Sequence, residues 1–169
     1  MSSLRASIVS SDSLRRDIYR LRYEVYTKEL GSFSREDFRE EYESDMYDKY
    51  SVHIAVENGK ELVGTLRLVQ DNPHGFVLEP TFILPSWIDR RKTVEHSRGI
   101  IRSEYRGEGI YSLLLECAYA WQRQNNKTIS IGAPNTEKLA SILQEKGWLP
   151  FGEITSYHGI NVVPMYYTL

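Results

Sequence analysis

Six charged residues, Arg22, Asp45, Asp48, Arg67, Glu95 and Arg98, stand on or beside apolar runs that read as packed elements. A charge at an inner strand or its edge is costly unless an opposite charge meets it. A set of both signs therefore surrounds either a polar site or a purely structural network. In the structural alternative Asp45 and Asp48 cap turns, and the arginines are solvated or satisfy carboxylates.

A second feature is Tyr105-Arg106-Gly107-Glu108-Gly109-Ile110-Tyr111. Its two glycines let backbone N–H groups turn toward one point, where the next helix presents its positive N-terminus. A pyrophosphate or phosphodiester suits that point, although glycines before a helix more often make only a tight turn.

Other reactive residue types carry weaker signals. Cys117 falls at an apolar helical position with no partnered base, and buried cysteines are usually inert. His53, His74, His96 and His158 are scattered, and a lone histidine on a strand or loop is more often a hydrogen-bonded structural residue. Tyr19, Tyr23, Tyr26, Tyr42, Tyr47 and Tyr50 cluster in the first third, where they line a pocket or cover a sheet.

The elements that must position these residues follow from periodicity. After an apolar start at Ala6 to Val9, Asp12 or Ser13 caps a helix with Leu14, Ile18, Leu21 and Val25 on one stripe, Arg22 at its margin and Gly31 at its stop. Residues 32–50 read as a loop with one helical turn. Val52, Ile54 and Val56 alternate into the Asn58-Gly59 turn, and Leu62, Gly64, Leu66 and Leu68 begin the return strand. The segment 76–92 looks irregular. Val94 to Ile101 reads as a strand, followed by a helix from Ile110 to Gln124 with Leu113, Leu114, Cys117, Ala118 and Trp121 inward. A strand at 128–133, a helix at 136–146 ending at Gly147, and closing strands near 154–157 and 162–168 complete an α/β chain. No repeat or linker divides it, so residues 1–169 are expected to form one domain.

Composition excludes several classes. A net charge of −2 creates no field for a polyanion, so nucleic acid is not expected as a partner. One cysteine gives no intrachain disulfide and no metal motif, which fits a reducing, cytoplasmic setting. No segment approaches the roughly 20 apolar residues of a membrane span.

Y-R-G-E-G-I-Y-S-L-L-L after a strand resembles the acyl-donor motif of the GNAT (Gcn5-related N-acetyltransferase) superfamily, and Asn135 with Lys146-Gly147-Trp148 resembles its second half. The resemblance implies the GNAT fold, a central mixed, mostly antiparallel sheet with helices on both sides. It also implies direct attack of an amine on a thioester, whose carbonyl a backbone N–H of the preceding strand polarises. Ile101, Ser103, Arg106, Gly107, Glu108, Gly109, Ile110 and Tyr111 would hold the donor. Tyr111 stands where the motif usually has Gly or Ala, and Leu143 occupies the usual position of a general-acid tyrosine.

Arg22 with Tyr26 one turn beyond, D-M-Y-D, the Arg67 of G-T-L-R-L-V, and E-H-S-R resemble, in type and order, the acyl-homoserine-lactone autoinducer synthases and the long-chain N-acyl amino acid synthases. Where the autoinducer synthases carry a tryptophan after the first helix, this chain has Gly31-Ser32-Phe33.

That resemblance implies an N-acyltransferase with Glu95, Ser97 and Arg98 as catalytic residues and Arg22, Tyr26, Asp45, Asp48 and Arg67 at the acceptor. Asp45 and Asp48 would orient the arginines and the acceptor's ammonium group, while Arg98 or Arg22 holds a carboxylate. The amine must lose a proton, for which Glu95 is the candidate base and His96 its competitor. The co-substrate would be acyl-CoA or the acyl-phosphopantetheine of acyl carrier protein, with no metal, and the acceptor a small-molecule amine. Arg90, Arg91, Lys92, Arg102 and Arg106 would attract an acidic carrier protein or form a solvated charge run. Two other readings stand beside this one: a conventional acetyl-CoA-dependent acetyltransferase, and a non-catalytic module that binds an acyl thioester.

Overall fold

The structure, a computed structural model, describes residues 4–38, 40–157 and 160–169; His158 and the side chain of Tyr157 lie outside the described residues. The chain is mixed α/β. Its strands and helices follow in the order β1 (Leu4–Ile8), α1 (Asp12–Tyr23), β2 (Ser51–Asn58), β3 (Glu61–Gln70), β4 (Thr93–Ile101), α2 (Ile110–Gln124), β5 (Ile129–Gly132), α3 (Glu137–Glu145), β6 (Leu149–Pro150), β7 (Thr155–Tyr157), β8 (Ile160–Val162) and β9 (Met165–Thr168). A seven-stranded, mostly antiparallel sheet has the order β1-β2-β3-β4-β5-β9-β6, and β7 and β8 form a two-stranded sheet. Two compact units divide the chain, Met1–Arg67 with Arg98–Ala118, and Leu68–Ser97 with Tyr119–Leu169.

In the first unit Ser11 caps α1 by accepting the Leu14 N–H, one residue before the expected cap. The stripe of Ile18, Leu21 and Val25 then packs with Val9, Ala55, Leu62 and Ile100 into one core cluster. Regular α-helix gives way at Tyr23 to a π-helical turn, Glu24–Glu29, in which the Leu30 N–H donates to the Val25 carbonyl. Gly31 follows at φ +62, the left-handed conformation that glycine adopts without a Cβ penalty. The expected loop holds two short 3-10 turns, Arg35–Asp37 and Asp48–Tyr50, rather than one. The β2–β3 hairpin turns at Gly59 (φ +65), and β1 adds antiparallel to β2 with Ala6 opposite Val56.

In the second unit the start of β4 pairs parallel with β5, ending at Glu95 opposite Ile131, and β9 pairs antiparallel with both β5 and β6. Thr136 caps α3 and Gly147 (φ +88) closes it. The closing region holds β7, β8 and β9 where two strands were expected, and β6 is an addition.

The buried face of α2 is rotated from the expected one. Leu114, Leu115, Ala118 and Gln122 are buried, whereas Leu113, Cys117 and Trp121 are only half-buried. The helix is apolar on most sides, so periodicity alone leaves its orientation open. Gln122 can enter the interior because Ser130 Oγ donates to its Oε1 (3.1 Å) and His96 Nε2 lies 3.1 Å from the same oxygen.

Candidate active site

Five of the six charged residues singled out in the sequence belong to the first unit, and four of them, with Glu43, surround Asp48. Arg22, at the end of α1, directs Nε to Glu43 and spans Asp48 with Nη1 (2.7 Å) and Nη2 (3.2 Å). Arg67 on β3 donates from Nη1 to Asp45 (2.6 Å) and Asp48 (3.1 Å). Arg98 on β4 reaches Glu43 through Nε (3.1 Å) and Asp45 through Nη2 (3.1 Å). Three guanidiniums thus meet three carboxylates, and the network is neutral.

The aspartates also cap their own turn, as the structural alternative held. The Asp45 N–H donates to Asp48 Oδ2 (2.7 Å) and the Tyr47 N–H to Asp45 Oδ1 (2.9 Å). Both roles coexist because each carboxylate offers several lone pairs. This turn is what holds the two acids at the spacing the arginines require.

Electrostatics follow from burial and pairing. Burial works to raise the pKa of Asp48, but the hydrogen bond and charge of Arg22, with Arg67 and the Asp45 N–H, bring it down to about 2. Burial opposes the charge of Arg22, yet Glu43 and Asp48 outweigh it and raise its pKa. Arg22 and Glu43 have side chains almost wholly buried, whereas Asp45 and Arg98 keep 25% and 20% of theirs exposed. Those two form the solvent-facing edge of the network. Of the two arginines proposed for an acceptor carboxylate, Arg98 is open and Arg22 is enclosed.

Sequence reasoning missed two members. Glu43 was hidden within the acidic run Glu40, Glu41, Glu43, although its place two residues before Asp45 was the available signal. The other is Phe33, the last residue of the Gly31-Ser32-Phe33 stretch. Its ring and that of Tyr26 each lie 5.5 Å from the Arg98 guanidinium carbon and 5.3 Å from one another. Burial raises the Tyr26 pKa, opposed by Arg98. His53 is buried beside Asp48 (3.6 Å) and set edge-on to Tyr19. Burial, only partly countered by Asp48, lowers its pKa to about 4 and keeps it neutral near pH 7.

Arg98 is a strained residue on β4. Its φ is +52, a left-handed value that non-glycine residues adopt at a cost of about 1–3 kcal/mol. Gly99 follows, and a Cβ there would meet Leu66 at 3.4 Å and the Tyr111 ring at 3.6 Å. A left-handed residue within an extended strand bends the backbone locally.

Glu95, His96 and Ser97 belong to the second unit. Glu95 is buried and accepts the Val77 N–H at 2.5 Å; Ser97 is half-buried. His96 packs edge-on to Trp148 (5.2 Å), and burial drives its pKa to about 4. A neutral, enclosed imidazole anchored on Gln122 has the character of a structural histidine. Leu143 is likewise buried and supplies no proton donor at the position where the motif usually has a tyrosine.

The glycine loop belongs to the first unit. Gly107 and Gly109 take φ +92 and +77, and a Cβ at either would meet nothing within 4 Å. The loop backbone is thus open on its outer side just before the N-terminus of α2, whose first N–H groups lack helical partners. Ile110 is buried against Gly64, which anchors the helix start. Arg106 is fixed by its Nε on the Ile101 carbonyl (3.0 Å) and Ser103 by its hydroxyl on Glu104 (3.1 Å); Glu108 is exposed and Tyr111 half-buried.

The arginines expected to make a basic face are largely engaged. Arg90 pairs with Asp71 (3.0 Å) and Glu79 (2.5 Å), Arg102 with Glu24 (3.4 Å) and Arg106 with Glu29 (2.5 Å), while Arg91 remains 87% exposed. Among the described residues no cluster of His, Cys, Asp and Glu could hold a metal ion, and no helix is long and apolar enough to cross a membrane.

Known structures share this fold. The acyl-homoserine-lactone synthase LasI matches with a TM-score of 0.81 at 18% identity, over 99% of this chain and 91% of its own. The CoA-dependent acyl-homoserine lactone synthase BjaI, with SAM and isopentyl-CoA, matches with a TM-score of 0.77 at 18% identity, over 99% of this chain and 83% of its own. FeeM, an N-acyl amino acid synthase from uncultured soil microbes, matches with a TM-score of 0.74 at 14% identity, over 100% and 91%. At these identities the likeness is one of fold. No curated protein matches the chain in sequence. Residues 21–116, more than half of the chain, match the family described as acetyltransferase (GNAT) domain. The protein belongs to the GNAT acetyltransferase family and is an acyltransferase.

Proposed function

We propose that this enzyme moves an acyl chain from a pantetheine thioester, of acyl-CoA or acyl carrier protein, to the amine of a small amino-acid-like acceptor. The observation that carries the reading is the Asp45–Arg98 pair, the open edge of an otherwise enclosed and neutral network. A zwitterion suits that edge, with its ammonium on Asp45 and its carboxylate on Arg98. Arg22, Glu43, Asp48 and Arg67 hold the two in register. Tyr26 and Phe33 cover the Arg98 guanidinium and favour its charged form against the protein interior.

In the reaction the acceptor nitrogen attacks the thioester carbonyl carbon, forming a C–N bond as the C–S bond breaks. Glu95 takes the amine proton, through a water where reach requires it, and the sulfur leaves as a thiolate that is then protonated. Backbone N–H groups at the Arg98 kink stabilise the developing oxyanion. The loop from Ile101 to Tyr111 cradles the donor's phosphate. The lone Cys117 fits a cytoplasmic setting.

The test is product analysis. Purified enzyme is incubated with acyl-CoA and acyl-carrier-protein donors of several chain lengths, pooled amino acids and S-adenosylmethionine, and products are read by mass spectrometry. A long-chain N-acyl amino acid or N-acyl-homoserine lactone supports the reading and names the acceptor. Acetyl transfer alone would assign the enzyme to conventional acetyltransferases, and donor binding without any product would make it a sensor. Charge reversal at the exposed Arg91 separates the donors: it raises the KM for acylated carrier protein only where docking is electrostatic.

A further inference from the structure

The π-helical turn Glu24–Glu29 places two carboxylates beside the glycine loop's arginines. In an i→i+5 ladder, residues five apart lie toward the same face, whereas in an α-helix they point apart. Glu24 and Glu29 are such a pair, and they meet Arg102 (3.4 Å) and Arg106 (2.5 Å) respectively. The Arg106 guanidinium is also held by its Nε on the Ile101 carbonyl (3.0 Å), so it cannot swing freely toward another partner. It keeps 45% of its side chain exposed, and it immediately precedes the open backbone of Gly107.

We infer that Glu29 is an internal anion seated on the arginine that receives the donor's phosphate, and that it sets donor affinity as a displaceable positioning residue. Without donor, Glu29 fixes the guanidinium beside the glycine loop. When a phosphorylated pantetheine arrives, its phosphate takes the face of Arg106 that Glu29 holds. Glu29 must then turn into solvent, since two anions cannot share that face without repulsion. The carboxylate thereby weakens every phosphate-bearing donor by the strength of the pair it gives up. It leaves a donor without phosphate unaffected. This inference rests on the reading of residues 101–111 as the donor site.

Calorimetric titration of CoA, 4′-phosphopantetheine and unphosphorylated pantetheine into wild-type enzyme and the E29Q, R106Q and E29Q/R106Q variants tests it. An exposed ion pair of this kind corresponds to a change of about 3- to 5-fold in affinity. E29Q should therefore bind CoA about 3- to 5-fold more tightly, with the gain shrinking at high salt and vanishing in the R106Q background. A gain for both phosphorylated ligands places the 4′-phosphate on Arg106, and a gain for CoA alone places one of its other phosphates there. Unchanged or weaker CoA binding by E29Q, a gain that persists without Arg106, or an equal gain for pantetheine overturns the inference. Failure of wild-type enzyme to bind CoA or 4′-phosphopantetheine at all would instead remove the donor reading beneath it.

Discussion

Arg98 Nη2 lies 3.1 Å from Asp45 Oδ2, and these two residues, 53 positions apart, are the only members of the described charge network with a fifth or more of the side chain exposed. The strained φ of +52 at Arg98 is tied to this contact, because the same guanidinium also meets Glu43 and lies beneath Tyr26 and Phe33. A backbone held against its preference by several contacts is one whose geometry matters to the site.

Asp45→Asn should raise the acceptor KM about tenfold or more, with the Kd for CoA unchanged and kcat altered much less. The amide keeps the Tyr47 N–H bond but loses the charge that attracts an ammonium group. Steady-state kinetics with the acceptor named by product analysis gives the split. A fall in kcat alone would assign Asp45 to the chemical step.

Glu43→Gln should destabilise the fold by about 3 kcal/mol, since it removes one of the two carboxylates that face the enclosed Arg22 and one of the two that face Arg98. Urea unfolding measures the loss. A change below about 1 kcal/mol would mean that Asp48 and Asp45 alone satisfy both arginines.

Glu95→Gln should reduce turnover by about 100-fold or more while leaving donor affinity in place. The amide oxygen can still accept the Val77 N–H, so the local structure is retained and the variant tests proton transfer. Wild-type turnover in this variant would refute Glu95 as the base.

Acid should weaken the fold in two steps. His53 and His96 have folded pKa values near 4, below the unfolded value near 6.5, so the unfolded chain binds more protons between those limits. Stability is therefore fully present above pH 6.5 and falls toward pH 4, by about 1.4 kcal/mol per pH unit for each histidine. Asp48, depressed to about 2, contributes stability above its unfolded value near 3.9 and loses it as pH falls from there to 2. Urea midpoints across pH 3 to 8 check the profile, and His53→Gln should remove about half of the slope above pH 4.

What the sequence determined by itself was local. The spacing of Leu14, Ile18, Leu21 and Val25, the Asn58-Gly59 turn, the alternation on both sides of it and the Gly107–Gly109 loop before an apolar helix each reflect forces that act within a few residues. The order of charged motifs from Arg22 to Arg98 then pointed to the site proposed for the acceptor. Tertiary structure alone decided how those charges join, because Arg98 finds Glu43 across 55 residues and Arg22 finds Asp48 across 26. It also decided that Arg22 is enclosed and Arg98 open, that Gln122 and not Cys117 turns inward on α2, and that α1 ends in a π turn carrying Glu24 and Glu29 to the glycine loop. Periodicity does not report these, since burial of a charge or an amide depends on whether a distant partner compensates its desolvation.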